Sequence, residues 1–205
     1  MNPLDKLIQY FEQFPGIGAR QARRFAFHVL TLPEADSAEL SKLIAGIQDT
    51  VMECESCRRF FARSNGETIC AICSEGARDI TKLTVVERDV DILPIERSGV
   101  YDGLYFVLGG TAPLLESKET NKLRANGLKK IVEERLPQGL SEIVLAFSVN
   151  PDGENTARFV HALLKEVSGI ETVIISELGR GLSTGSELEY ADPATIKSAF
   201  QNRHS

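Results

Sequence analysis

The sequence predicts an α+β multi-domain protein: an N-terminal helix-hairpin-helix, a small four-cysteine zinc finger and a C-terminal α/β domain with a mostly parallel sheet. Three observations support this prediction. Amphipathic segments flank a glycine turn near the N-terminus, all four cysteines lie in one short stretch, and apolar runs alternate with helical segments from residue 83 onward. We expect domain boundaries at 1–53 for the helices, 54–78 for the zinc finger, 79–178 for the α/β domain and 179–205 for a C-terminal tail and helix.

Composition places the chain among ordinary globular proteins. Of its 205 residues, 42% are hydrophobic and 25% are charged, which is close to the average for soluble domains. No apolar run approaches the roughly 18 residues that a membrane-spanning helix needs, and MNPLDKLIQYF lacks the basic leader of a signal peptide. We therefore expect a cytoplasmic location, no membrane partner and reduced thiols.

The charge distribution bears on nucleic-acid binding. A net charge of -6 is unlike that of most whole-domain DNA binders, which are basic. However, residues 83–205 carry 13 Lys and Arg against 18 Asp and Glu, whereas residues 1–82 carry 10 against 11. The acidic excess lies mainly in the C-terminal part, so local basic patches remain compatible with the N-terminal part.

The four cysteines have the spacing of a metal centre. Cys54 and Cys57 form one CxxC, and Cys70 and Cys73 form a second, with twelve residues between them. Each CxxC can place two sulfur atoms on a tight turn, and the segment between is long enough to bring the turns together. This pattern predicts a structural zinc ion that substitutes for a hydrophobic core. Iron in the same cage and a redox pair are the alternatives.

The N-terminal segment LDKLIQYFEQFPGIGARQARRFAFHVLTL predicts helix, turn, helix. Gly16 and Gly18 let the chain reverse sharply and leave backbone amides uncovered at the start of the second helix, where they can bind phosphate. Arg20, Arg23 and Arg24 follow at once, with no carboxylate between residues 15 and 31.

Two interpretations of this basic segment remain open. It is either a helical hairpin with a solvated basic face or a helix-hairpin-helix that holds the DNA backbone without reading bases. Arg20 and Arg24 are four residues apart and share one helix face. We expect His28 to pack near the apolar face, and a third amphipathic helix over roughly 38–52 to serve as scaffold.

The C-terminal part predicts an open α/β sheet. Strand-like runs lie at 83–87, 104–110, 142–149 and 172–176, and segments with helix composition lie at 119–136 and 153–167. In such sheets function gathers beyond the carboxyl ends of the strands. Glu87 ends the first strand there, and Asp152 and Glu154 follow the third. They either hold Mg²⁺ or are ordinary residues of a helix N-terminus.

The ordered set PGIGARQARRFAFHVL, the two CxxC pairs, VVE, YFVLGG, DGENTA and GLSTGSELEYAD resembles the bacterial RecR family of recombination mediators over nearly the whole chain. The resemblance implies a Toprim domain, the α/β fold shared by topoisomerases and primases, in the C-terminal half. It also implies a ring-like homotetramer that binds single- and double-stranded DNA without sequence preference. The implied partners are RecO and RecF, and the implied role is loading RecA on single-stranded DNA at gaps, without catalysis and near the nucleoid.

Carried over by motif, the resemblance implies DNA binding by Arg20 and Arg24, zinc binding by the four cysteines, and Toprim acids at Glu87, Asp152 and Glu154. Several positions depart from the family pattern. Asp152 stands where the family has glutamate, Phe106 stands where it has histidine, and the loop after Gly110 reads TAPLLESKET.

Two other functions remain open beside the DNA-binding mediator. A Mg²⁺-dependent Toprim nuclease or nucleotidyl-transferring enzyme would use the acidic residues, although a topoisomerase needs a tyrosine presented to them, usually from a separate domain. A zinc-stabilised protein-interaction scaffold that never touches DNA would fit the acidic total charge. The acid-rich surface of the α/β domain suits a basic protein partner better than DNA, because phosphates are repelled there.

Overall fold

A computed structural model describes residues 1–63, 66–112, 123–179, 181–182, 185 and 187–203. The chain divides into two compact units, Met1–Val51 and Met52–Ser205. No helix in the described ranges is long and apolar enough to cross a membrane. The multi-domain α+β class predicted from the sequence is confirmed.

The first unit is helical. It consists of α1 (Pro3–Glu12), α2 (Ala19–Thr31) and α3 (Glu34–Thr50). The side chain of Asn2 accepts a hydrogen bond from the backbone of Asp5 and caps α1. Phe11 meets Phe25 edge to face, with ring centroids 5.9 Å apart, so aromatic side chains join α1 to α2.

The second unit contains a four-stranded parallel sheet. Its strands are β3 (Asp79–Val86), β4 (Gly103–Val107), β5 (Glu142–Ala146) and β6 (Ile174–Glu177). They lie in the order β4-β3-β5-β6. Their registers align Val86 with Val107 on one side and with Ala146 on the other. The carboxyl ends of β4, β3 and β5 are therefore level, as the sequence predicted for an open α/β sheet.

Helices cover both faces of this sheet. They are α5 (Ile92–Ser98), α6 (Ala125–Arg135) and α7 (Pro151–Leu164). A C-terminal helix, α8 (Pro193–Gln201), follows β6 in the chain. Alternate residues of β3 point to opposite faces: Leu83 and Val85 pack in the core cluster that includes residues of α6 and α7, whereas Val86 packs in a cluster with Ile92 of α5. This two-sided burial explains why the strands are almost continuously apolar.

The cysteine segment forms a small module on the edge of the sheet. It contains β1 (Val51–Glu53), which pairs with β2 (Phe60–Ala62), and the short helix α4 (Ala71–Ser74). The backbone amide of Val107, in the edge strand β4, donates to the carbonyl of Cys57 at 2.8 Å. The module thus satisfies part of a sheet edge that would otherwise be unpaired.

The predicted elements are found with shifted bounds. The first predicted strand begins four residues earlier, at Asp79, and the predicted strand over 142–149 ends at Ala146. The predicted helix over 119–136 is described from Ala125 onward, and residues 119–122 lie outside the described residues. The sequence analysis missed α5, because a seven-residue helix with a proline shows little periodicity.

Candidate metal centre and candidate nucleic-acid interface

The four cysteines come together as a possible metal cage. One sulfur from each of Cys54, Cys57, Cys70 and Cys73 lies within 4.8 Å of all the others. Three of the residues are buried and Cys73 is partly buried. Four sulfur donors at this separation fit a tetrahedral thiolate site. The cluster is therefore positioned to bind a metal ion, as the two CxxC motifs predicted.

The backbone of the first CxxC forms the tight turn that this cage needs. The Cys54 amide donates to the Arg59 carbonyl at 2.8 Å, and the Arg58 amide donates to the Cys54 carbonyl at 3.0 Å. Arg58 adopts a left-handed conformation with φ 63°, the one non-glycine residue in the described chain with positive φ. The Cys70 amide donates to the Cys54 sulfur at 3.3 Å and links the two turns.

Proximity perturbs the thiols. Hydrogen bonding from Cys57, and then from Cys70, holds the pKa of the Cys54 thiol far below its ordinary value. The same hydrogen bond to Cys54, together with burial, raises the pKa of Cys57. A thiolate in this cluster is thus stabilised by its neighbours, and a cation placed among the four sulfurs would favour all of them as thiolates.

The glycine turn of the first unit has the geometry expected of a Pro-Gly reversal. The Ile17 amide donates to the Phe14 carbonyl at 3.0 Å across Pro15 and Gly16. Gly16 has φ 75°, which suits glycine at this position of a type II turn. Gly18 then becomes the N-cap of α2 and supplies no side-chain hydrogen bond to the helix.

The three predicted arginines lie at the start of α2. Arg20, Arg23 and Arg24 are all exposed, and none forms an ion pair within the described part of the chain. Arg24 contacts the side-chain oxygen of Gln21 at 3.5 Å. The positive charges therefore lie beside the positive end of the α2 dipole. Together with the uncapped amides, they make this turn suitable for an anionic ligand.

His28 does not lie where the sequence analysis placed it. We expected it to pack near the apolar face of α2, but it is exposed. The buried positions of this helix are Ala22 and Ala26, four residues apart. His28 lies two positions beyond Ala26, and residues two apart on a helix point in different directions.

Glu87 is a buried acid at the carboxyl end of the central strand β3. It follows β3 directly and is 2% exposed. Its Oε1 accepts from the Ser148 amide at 2.8 Å, and its Oε2 accepts from the Ser148 hydroxyl at 3.2 Å. Arg88 Nη2 lies 3.9 Å from Oε2. Both carboxylate oxygens are therefore hydrogen bonded by the chain that follows β5.

Glu87, Asp152 and Glu154 do not form a cluster of potential metal ligands among the described residues. Among the described residues, the four cysteines are the only group that brings three or more potential ligand atoms together. Asp152 and Glu154 lie in the first turn of α7, and residues two apart on a helix do not share a face. Their position at a helix N-terminus, near the positive end of its dipole, matches the alternative interpretation of these acids.

The sequence did not reveal the residues that pack the start of α7 against the chain after β5. A Cβ on Gly153 would lie 1.9 Å from the carbonyl oxygen of Ser148, so only glycine fits between the α7 N-terminus and the chain after β5. The Gly153 amide also donates to the Asn150 side chain at 2.8 Å. A glycine between two acids was the one available signal, and nothing in the sequence marked Ser148 as the partner of Glu87.

Glu154 lines a cleft with the C-terminal segment. This cleft, of about 560 Å³, is bounded on one side by the start of α7 and on the other by Asp192, Thr195 and Ser198. Glu154 and Asp192 are both acidic, so the opening has negative character. An acidic opening favours a positively charged partner over nucleic acid.

Comparisons with known proteins agree with this arrangement. The family model "RecR, helix-hairpin-helix" matches residues 4–47, the Toprim domain model matches residues 81–175, and the model "RecR, C-terminal" matches residues 181–204. The fold and the cysteine cluster together define a helix-hairpin-helix and Toprim protein with a four-cysteine metal centre.

Curated relatives make the assignment more specific. Recombination protein RecR of Chlorobium chlorochromatii is 34% identical over 200 residues, which cover 98% of this chain and 95% of the relative. The RecR of Legionella pneumophila is 34% identical, over 99% of this chain and 96% of the relative. The RecR of Chloroflexus aurantiacus is 37% identical, over 98% of this chain and 93% of the relative. This chain belongs to the RecR family.

Two departures from the family pattern can be placed on the structure. Phe106 is fully buried in the core that contains Leu128, where an aromatic ring contributes apolar area that a histidine would not. In the loop after Gly110, only Thr111 and Ala112 lie within the described residues, and 113–122 lie outside them. The Ala112 amide donates to Thr156 Oγ1 at 2.8 Å, which ties the start of that loop to α7.

Proposed function

We propose that the protein is a non-catalytic recombination mediator of DNA repair that binds the DNA backbone through its N-terminal glycine turn. The observation that carries the proposal is the exposed arginine cluster beside the uncapped start of α2. The contacts assigned to DNA are the amides around Gly16 and Gly18 and the side chains of Arg20, Arg23 and Arg24. Membership of a family of recombination proteins supports the same role.

The mode of binding follows from the chemistry of the turn. Guanidinium groups and backbone amides recognise phosphate, which every nucleotide carries, so binding is independent of sequence and extends to single- and double-stranded DNA. The proposed function includes RecO and RecF as partners and help in loading RecA at single-stranded gaps. A chain with this role works in the cytoplasm, associated with the nucleoid.

DNA binding is tested by neutralising two arginines that share a helix face. Arg20→Ala with Arg24→Ala should weaken binding to all sequences alike and reduce the slope of log affinity against log salt by about 2, because each phosphate contact contributes about 0.9. The matched control is Lys130→Ala with Arg158→Ala, two exposed cations of the α/β domain. Equal DNA affinity in the test and unaltered proteins would contradict the site and favour the scaffold alternative.

The metal in the cysteine cage is proposed to be structural zinc. Cys54, Cys57, Cys70 and Cys73 would hold it, and four thiolates leave no open position for substrate. Zinc supplies only cross-linking here, because it has no redox chemistry of its own. Elemental analysis of purified protein should find about one zinc per chain, whereas iron in the same cage would change the assignment.

The absence of catalysis is part of the proposal. The buried Glu87 has both carboxylate oxygens engaged by Ser148, and Asp152 and Glu154 lie in the first turn of α7. These contacts support a packing role for Glu87. Labelled DNA incubated with Mg²⁺ or Mn²⁺ should stay intact. Cleavage that disappears in Glu87→Ala and Asp152→Ala would replace the mediator proposal with a nuclease.

The acidic start of α7 is proposed as the docking surface for a basic partner such as RecO. Asp152→Asn with Glu154→Gln should lower affinity for RecO, because both charges are removed while the side-chain sizes are kept. Glu133→Gln with Glu171→Gln removes two exposed acids elsewhere on the same unit and should leave affinity unchanged. Unaltered RecO binding in the first double variant would contradict this docking surface.

Assembly into a homotetrameric ring is proposed as the way an acidic chain binds DNA. A closed ring gathers the arginine clusters of several subunits, so weak single sites add through multivalency. Sedimentation velocity should show one oligomer larger than a dimer, and DNA should bind per ring rather than per chain. A monomer that binds DNA with full affinity would contradict this part of the proposal.

A further inference from the structure

The last residue of α6 is an arginine in an unusual environment. Arg135 is 6% exposed, although a charged guanidinium rarely leaves water unless it is paired. No ion pair involves it within the described part of the chain. A buried cation without a carboxylate partner needs another source of negative charge.

The Arg135 side chain donates a hydrogen bond to the cysteine module. Arg135 Nη2 donates to the hydroxyl of Ser56 at 3.0 Å, and Ser56 lies inside the first CxxC, between Cys54 and Cys57. Arg135 Nη1 is also buried and has no hydrogen-bond partner among the described residues. The guanidinium therefore lies against the first metal-binding turn with one nitrogen unsatisfied.

Electrostatics around Arg135 favour the same partner. Burial lowers the pKa of this guanidinium, and the neighbouring Cys73 and Cys57 act against that shift. The other two cations of α6 have carboxylate partners, since Lys129 pairs with Glu166 and Lys130 pairs with Glu134.

We propose that Arg135 supplies the counter-charge for the four-thiolate metal centre and so increases its metal affinity. Four thiolates carry more negative charge than one divalent cation neutralises, and the loaded centre is a dianion held in a buried site. A fixed guanidinium beside it lowers the cost of that charge. Groups that surround metal ligands in this way commonly change metal affinity 10- to 100-fold.

This role also links the metal to the α/β domain. Arg135 belongs to α6, whose Leu128 and Val132 pack in the core of the sheet. Metal binding draws the guanidinium and the first CxxC together, so loading the centre should strengthen the attachment of the module to the sheet. The inference depends on the metal assignment made in the proposed function, but not on DNA binding.

The test compares variants of the full chain for zinc affinity, measured by competition with a chromogenic chelator. Arg135→Met and Arg135→Gln remove the charge, and we expect about 10- to 100-fold weaker zinc binding. Arg135→Lys keeps a charge and should lie closer to the unaltered protein than Arg135→Met does. Arg158→Met is the control, because it removes an exposed cation from α7, and it should bind zinc normally.

Thermal unfolding with and without zinc separates a charge effect from packing. Arg135→Met should lower Tm in the zinc-loaded protein, and the loss should be smaller or reversed in the chelated protein, because fewer of the four sulfurs are then charged. Equal losses in both states would overturn the proposal, as would unchanged zinc affinity in Arg135→Met and Arg135→Gln. If Arg135→Met does not fold, Arg135→Gln, which can still donate to Ser56, decides the outcome. Unaltered protein without metal would overturn both the metal assignment and this inference.

Discussion

The cysteine module and the α/β domain are stabilised in different ways, although both belong to the second unit. The domain has a large apolar core in which both faces of the sheet are covered by helices. The module has only a small cluster of cysteines, with Phe61 and Ile72 packed against it. A segment this short cannot bury enough apolar surface to offset the entropy of ordering it, so four converging sulfurs take the place of a core.

The two regions should therefore lose stability through different substitutions. An apolar core loses stability in steps as side chains are truncated, whereas a metal-held module loses its organising contact at once when one ligand is removed. The module should therefore respond to chelators and the α/β domain should not. Four predictions, ordered from the largest expected effect to the smallest, challenge that contrast.

Replacing a metal ligand should have the largest effect. Cys57→Ser removes one of the buried sulfurs, and structural zinc sites commonly contribute about 10–16 kcal/mol to folding of small modules. We expect loss of bound metal and of amide hydrogen-exchange protection over residues 54–73, with protection of the sheet retained. Ser74→Ala is the control, because its hydroxyl bonds only the nearby carbonyl of Ala71. A Cys57→Ser protein with full metal content and a protected module would contradict the contrast.

Truncating the core should destabilise the α/β domain by a smaller amount. Leu128→Ala opens a cavity between α6 and the sheet and should lower the free energy of unfolding by about 2–5 kcal/mol. Chemical denaturation with and without a chelator is the measurement. Val100→Ala, at a site that is 86% exposed, should have almost no effect. A loss that depends strongly on the chelator would mean that the metal, and not the core, controls this domain.

Adding one methyl group at Gly153 tests the close packing between the start of α7 and the chain after β5. Gly153→Ala places a Cβ 1.9 Å from the Ser148 carbonyl oxygen, so the start of α7 must shift, at a cost of about 1–3 kcal/mol. The shift should also loosen the hydrogen bonds from Ser148 to Glu87. Gly179→Ala is the matched control, because open space surrounds that glycine. Equal stability of the two variants in denaturant titrations would contradict the close approach.

Removing the ion pair between Arg78 and Glu96 should have the smallest effect on stability, and that effect should depend on pH. Arg78 holds the pKa of Glu96 below its ordinary value, with further help from the Tyr105 hydroxyl, which donates at 2.6 Å. Because the folded pKa is the lower one, this stability is present above the ordinary pKa of a glutamate and is lost as the pH falls through the folded value. Glu96→Gln should therefore cost about 1 kcal/mol near neutral pH.

The pH profile of unfolding checks that sign. The difference between unaltered protein and Glu96→Gln should be largest near neutral pH and should close in acid. Glu133→Gln, at an exposed acid of α6, should show no such closing. A difference that grows as the pH falls would mean that the Arg78 ion pair does not control Glu96.

Much of the fold could be predicted because local patterns report it. The cysteine spacing predicted the sulfur cluster, and the apolar runs predicted the four strands of the parallel sheet. Pro15 and Gly16 predicted the turn before α2, which the Ile17 amide closes. These features depend on residues that are close in sequence or on burial on both faces of a strand, and both leave a periodic signal.

The hydrogen bonds of the acids at the carboxyl ends of the strands could not be predicted in the same way. Strand ends place Glu87, Asp152 and Glu154 in one neighbourhood, but the direction of each carboxylate depends on side chains far away in sequence. Ser148 lies 61 residues from Glu87 and takes up both of its oxygens. A serine in a loop carries no pattern that identifies its partner.

Local sequence patterns indicated the parts: a glycine turn followed by arginines, a four-sulfur cage and a parallel sheet, together with membership of a family. The contacts between polar groups became clear only from the packed chain. Packing buried Glu87 against Ser148 and placed Arg135, 79 residues from Ser56, against the metal-binding turn. The physical reason is that composition and periodicity encode burial, whereas pairing of buried charges depends on long-range geometry that appears only when the chain is packed.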